Sequence, residues 1–70
     1  MSKIRLNSET LQDWLDRNNL SQRKFGRLHR LSSGYISQIL SGKRHLGPAT
    51  RQTIQDATGL TFDDLFTKEP

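Results

Sequence analysis

The chain has no cysteine among its 70 residues. This excludes disulfide staples and a thiolate zinc site, and it points to a reducing compartment such as cytoplasm. No apolar run is longer than two residues, so no segment has the make-up of a bilayer span or of a secretory signal core. The length allows one small domain, and a chain this short buries only about 60% of its unfolded surface. The core is therefore marginal unless helices pack efficiently or a partner helps. A deep enzyme cleft is not expected at this size. The class that remains is a small soluble binding module, not an enzyme and without a cofactor.

Acidic residues are also missing, from one long stretch. Residues 17–55 contain none, yet carry Arg17, Arg23, Lys24, Arg27, Arg30, Lys43, Arg44 and Arg51. Residues 1–16 sum to −1 and residues 56–70 to −3, so the net charge of +4 conceals a basic middle with mildly acidic ends. Such a middle is either an ordinary solvated face or a phosphate-facing surface, because clustered Lys and Arg release condensed counterions from nucleic acid.

Turn-forming residues recur at short intervals, and no internal repeat, low-complexity tract or linker interrupts them. Lys3-Ile4-Arg5-Leu6 alternates polar and apolar, which fits a short extended segment. Asn7 or Ser8 then caps a helix whose Leu11, Trp14 and Leu15 form a buried stripe. Asn18-Asn19 is its expected stop, since asparagine tolerates the left-handed conformation. Ser21 caps a second helix holding Phe25 and Leu28, and after a break near Arg30 Ser32 caps a third, with Ile36, Ile39 and Leu40 on one face. Ser41-Gly42 ends it, and residues 43–47 form a basic loop. Pro48 suits the first position of a fourth helix, in which Ile54 and Ala57 face inward and which Gly59 terminates. Thr61 with Asp64 resembles a capping box opening a final short helix with Leu65 and Phe66. The expected fold is all-α and compact, with five short helices: residues 1–7 form an N-terminal arm or short strand, 8–66 the domain and 67–70 a tail.

Helices two and three, over residues 21–41, are joined by about four residues with an apolar residue in the connection, a helix-turn-helix arrangement. It requires Phe25, Leu31, Ile36 and Ile39 to converge, and a small residue, Gly26, where the helices approach. Ser21-Gln22-Arg23-Lys24-Phe25-Gly26, Leu31-Ser32 and residues 35–44, from Tyr35 through Ser41-Gly42-Lys43-Arg44, resemble the Cro and phage-repressor type of helix-turn-helix, the lambda-repressor-like family. The resemblance extends through Ile54, Ala57, Gly59, Leu60 and Leu65-Phe66, covering roughly residues 8–66. It implies a five-helix domain that binds double-stranded DNA, usually as a homodimer on paired half-sites. Two positions depart from the pattern: Arg30 stands where the family most often has glycine, and Gly26 where it usually has alanine. Arg30 must then accept a left-handed conformation at about 1 kcal/mol, and Gly26 gives up helix propensity of similar size.

A recognition helix enters the major groove with its N-terminal residues at the base edges. The matching positions are Ser32, Ser33, Gly34, Ser37 and Gln38. Gln38 is the best base reader, since a lone amide pairs bidentately with adenine N6 and N7. Ser33 and Ser37 discriminate poorly, and Gly34 permits close backbone approach. Phosphate contacts are expected from Gln22 and Arg23 at the start of the second helix and from Lys43 and Arg44 in the loop, with Ser41, His45 and Arg51 behind them. Tyr35 is either a phosphate donor or a packing residue. Arg27 and Arg30 lie too far around the second helix to reach the backbone. Lys3 and Arg5 form an N-terminal arm or are disordered. A recognition surface this short-chained leaves specificity to lean on DNA shape, dimer spacing or a regulatory protein partner.

Other chemistry finds little support. His29 and His45 are sixteen residues apart with no further ligand at zinc spacing. Ser, His and Asp fall in no catalytic pattern, Asp63-Asp64 suits helix N-terminal charge, and no phosphate-cradling glycine loop is present. Trp14 belongs to the core rather than to a stacking platform. These features point to a transcriptional regulator of the bacterial cytoplasm or nucleoid, a phage or mobile-element repressor or Cro-like protein. It is either a complete minimal regulator or the DNA-binding part of a longer one, with no membrane association. The competing expectation is a protein-interaction module of the same fold, an antitoxin or an antagonist of another regulator, with Phe62, Leu65, Phe66 and residues 3–6 as its contact surface.

Overall fold

Short polar side chains start four of the five helices seen among the described residues, each by accepting a backbone N–H. The computed structural model describes residues 3–42 and 44–69. Asn7 caps α1 (Ser8–Arg17), Ser21 caps α2 (Gln22–Leu28), Ser32 caps α3 (Ser33–Leu40) and Thr61 caps α5 (Phe62–Leu65). Each satisfies an N–H that the first helical turn leaves without a partner. At α5 the box is reciprocal, with the Asp64 carboxylate accepting from the Thr61 N–H. Pro48 opens α4 (Pro48–Thr58), where its missing N–H costs nothing, and Gly59 closes it at φ 74°. Asn19 and Arg30 end α1 and α2 with φ of 57° and 59°, so Arg30 does adopt the left-handed conformation its position demands.

Two strands complete the fold and correct the all-α expectation. β1 (Lys3–Leu6) pairs antiparallel with β2 (Phe66–Glu69), Ile4 opposite Lys68 and Leu6 opposite Phe66. The closing helix therefore stops at Leu65, and Phe66 begins a strand instead of continuing the helix. Residues 67–69 are not a tail, and of the two alternatives for the N-terminal segment, arm or short strand, residues 3–6 form the strand, so Lys3 and Arg5 are neither arm nor disordered. The physical reason is burial: Ile4, Leu6 and Phe66 reach the core only when the two chain ends lie side by side. The Asn7 N–H donates to the Leu65 carbonyl at 2.6 Å, locking the start of the sheet to α5.

One core serves all the elements. Leu11 and Leu15 of α1, Phe25 of α2, Ile36 and Ile39 of α3, Ile54 of α4 and Leu65 are fully buried together. Trp14 is partly buried, edge-on to Phe25 with centroids 5.9 Å apart, in the packing role expected of it.

The approach of α2 to the turn and to α3 is close at Gly26. A Cβ built on Gly26 would stand 2.4 Å from the Leu31 carbonyl oxygen and 3.3 Å from Ile36 Cγ1. The Leu31 N–H donates to the Gly26 carbonyl at 2.7 Å. Gly26 is thus more than a substitute for alanine with lower helix propensity, because at this separation only glycine fits. The far end of α3 is fixed from β1 and α1. Arg5 Nη1 donates to the Gly42 carbonyl at 2.9 Å, and Ser8 Oγ donates to that of Leu40 at 2.6 Å. Leu46, buried, donates its N–H to the Ile4 carbonyl and anchors the following loop.

Candidate nucleic-acid interface

With Ile36 and Ile39 turned into the core, the helical period leaves Ser33, Gly34, Ser37 and Gln38 on the opposite side of α3, all exposed. Ser32 is exposed too, although its Oγ is engaged as the cap on the Tyr35 N–H at 3.1 Å. Ser41 Oγ donates back to the Gln38 carbonyl at 3.0 Å.

The residues expected to read bases and those expected to hold phosphates meet at Gln38. Arg44 Nη1 donates to Gln38 Oε1 at 3.1 Å, and the Arg44 guanidinium lies over the Tyr35 ring, 5.0 Å from its centroid. The Tyr35 hydroxyl donates to Thr50 Oγ1 at 3.1 Å. Tyr35 is half-buried against the core, so of its two expected roles the structure supports packing, and its donor is spent inside the protein. Thr50 went unnoticed in the sequence. Its partner lies 15 residues away on another helix, beyond any local spacing signal.

The remaining candidates divide. Arg23 is exposed and lines a shallow groove with Ser21, Lys24, Arg27 and Leu28. Arg27 shares that groove with Arg23, one helical turn earlier on α2. Gln22 is exposed but turned toward α1, its Nε2 donating to Gln12 Oε1 at 3.0 Å. His45 is exposed, and Arg51 is half-buried on α4 beside Pro48, Gln52 and Phe62. Lys43 lies outside the described residues.

Acidic side chains collect elsewhere. Asp13 of α1 and Asp64 of α5 line one groove with Trp14 and Leu60, where Arg17 also pairs with Asp13 at 2.8 Å. The surface required by the competing reading is largely consumed by the fold: Ile4, Leu6, Leu65 and Phe66 are buried, and Phe62 is half-buried with its ring 5.2 Å from that of Phe66. Among the described residues, no helix is long and apolar enough to cross a membrane, and no three His, Cys, Asp or Glu side chains gather where a metal ion could be held. No family model, curated protein or solved structure matches the chain.

Proposed function

We propose that the chain is a sequence-specific double-stranded DNA-binding regulator of the Cro and phage-repressor type, with α2 and α3 as its helix-turn-helix and α3 inserted in the major groove. The observation that carries this reading is the outward face of α3. Four small or amide-bearing residues stand exposed on a helix whose other face is fully buried and whose approach to α2 is fixed by Gly26. A recognition helix needs that combination: a rigid mount, and an outward face of polar residues free to meet base edges. The charge supports it. Arg23, Lys24 and Arg27 flank α3 in the chain on one side and Arg44 on the other, while Asp13 and Asp64 share a groove between α1 and α5.

On this reading Arg23 and the N-terminal amides of α2 hold phosphates, Ser33, Ser37 and Gln38 meet base edges, and two copies occupy paired half-sites. The test is retention on mixed genomic DNA as a function of salt. Binding at low salt should weaken with a log–log slope of about −0.9 per phosphate neutralised. Fragments selected from random duplex DNA should contain a palindrome with half-site centres about one helical turn apart. Absence of binding at low salt refutes the proposal.

A further inference from the structure

Gln38 and Arg44 form one unit. The guanidinium is a donor only, so the amide oxygen of Gln38 must face it and Nε2 must face away. The geometry agrees, with Arg44 Nη1 3.1 Å from Gln38 Oε1. Arg44 is not free to wander from this position. Its guanidinium lies 5.0 Å from the Tyr35 ring centroid, Tyr35 is tied to Thr50 on α4, and the loop carrying Arg44 is anchored two residues later by buried Leu46.

The consequence is chemical. A lone glutamine presents one acceptor beside one donor and so complements the N6 amino group and N7 of adenine. Here that acceptor already takes a hydrogen bond from Arg44, which leaves it one lone pair. Beyond that bond the pair carries the two N–H groups of Gln38 Nε2 and the remaining Arg44 N–H groups, so donors outnumber the one lone pair left. In the major groove only guanine offers two adjacent acceptors, O6 and N7, with no donor between them; the adenine amino group would face a donor.

We propose that Gln38 and Arg44 together are a donor-rich reader that selects guanine at one base of each half-site. The proposal rests on the DNA-binding reading above. Arg44 has two parts in it, as a contact to the base edge and as the positioning residue that fixes the Gln38 amide.

The experiment selects fragments from a random duplex library with the wild-type chain, then measures affinity for the selected duplex and its single-base-pair variants. Wild type, Gln38→Ala, Arg44→Ala, Arg44→Lys and the double variant Gln38→Ala with Arg44→Ala are compared, with thermal melts to verify folding; both side chains are exposed, so all five are expected to fold. Wild type should lose about tenfold or more when that guanine becomes adenine. Arg44→Ala releases Gln38 Oε1, so its preference at that position should fall and move toward adenine. Gln38→Ala should weaken the preference to what Arg44 supplies alone, and the losses of Gln38→Ala and Arg44→Ala should not add in the double variant, the non-additivity of a coupled pair. Arg44→Lys keeps the charge without the planar fork and should lose discrimination while keeping the salt slope.

Two results overturn the proposal alone: an Arg44→Ala variant weakened equally on all sequences with a shallower salt slope, which makes Arg44 a phosphate contact only, or a wild type that prefers adenine. Failure of the wild type to bind any duplex at low salt overturns the DNA-binding reading with it.

Discussion

Replacing Gly26 by alanine should destabilise the protein, against the direction that helix propensity alone predicts. Within α2, alanine gains about 1 kcal/mol over glycine. The added methyl group, however, would lie 2.4 Å from the Leu31 carbonyl oxygen, so that oxygen must retreat by at least about 0.6 Å to reach even 3.0 Å. Leu31 cannot retreat alone, because its N–H is bonded to the Gly26 carbonyl at 2.7 Å. Overpacking of this kind costs about 1–3 kcal/mol, and straining that hydrogen bond adds part of the roughly 1 kcal/mol it is worth. After the propensity gain, a net loss of up to about 3 kcal/mol remains, a fall of up to about 20 °C in Tm for a domain of this size. Gly34→Ala is the matched control. It makes the same chemical change in a helix with nothing within 4 Å of the new methyl group, so it should be neutral or stabilising by up to about 1 kcal/mol. Thermal and urea unfolding followed by circular dichroism measures both. A Gly26→Ala variant that melts at or above the wild type would refute the close approach of α2 and α3.

Arg30→Gly should raise stability, since the left-handed residue at φ 59° costs about 1–2 kcal/mol and glycine returns only part of that through unfolded-state entropy. A Tm unchanged or lowered in the same melts would show that the arginine side chain makes a compensating contact. Phe66→Ala should cost about 3–5 kcal/mol, because the ring is 5% exposed and holds the sheet to the core. Against a total stability of about 4–10 kcal/mol for a chain of this length, the variant should be partly unfolded at 37 °C by circular dichroism, and a native-like melt would contradict the placement of β2.

The parts of the fold that were legible in the sequence are those decided within four residues. Ser21, Ser32, Thr61, Pro48 and Gly59 each act on a neighbouring backbone group, so their meaning travels with the local sequence. Burial of Leu11, Leu15, Ile36 and Ile39 follows from helical period in the same way. The alternation over residues 3–6 marked β1 in the same way, but the sheet's pairing and β2 could not be read like this. Its strands lie at opposite ends of the chain, and β2 places a single apolar residue, Phe66, on the buried face, which is too little to show a period of two. Leu65-Phe66 consequently resembles the end of a helix, although only Leu65 belongs to one.

The candidate site divides along the same line. Which residues of α3 face outward is a matter of period, and Ser33, Gly34, Ser37 and Gln38 are legible as soon as Ile36 and Ile39 are known to be buried. What an outward residue offers to a partner is a different matter, because it depends on which of its groups are already used. Gln38 in isolation presents a donor and an acceptor. The turn at Gly42, with φ 77°, lets the chain reverse so that Arg44 reaches back to the Gln38 amide and engages the acceptor, while the Tyr35 ring steadies the guanidinium. None of this is contained in the type or spacing of either residue. The two levels of description therefore lead to opposite base preferences at one position. Glutamine chemistry alone gives adenine, and the paired geometry gives guanine. The base found opposite Gln38 in selected duplexes decides whether recognition here is a property of single side chains or of the contact between two.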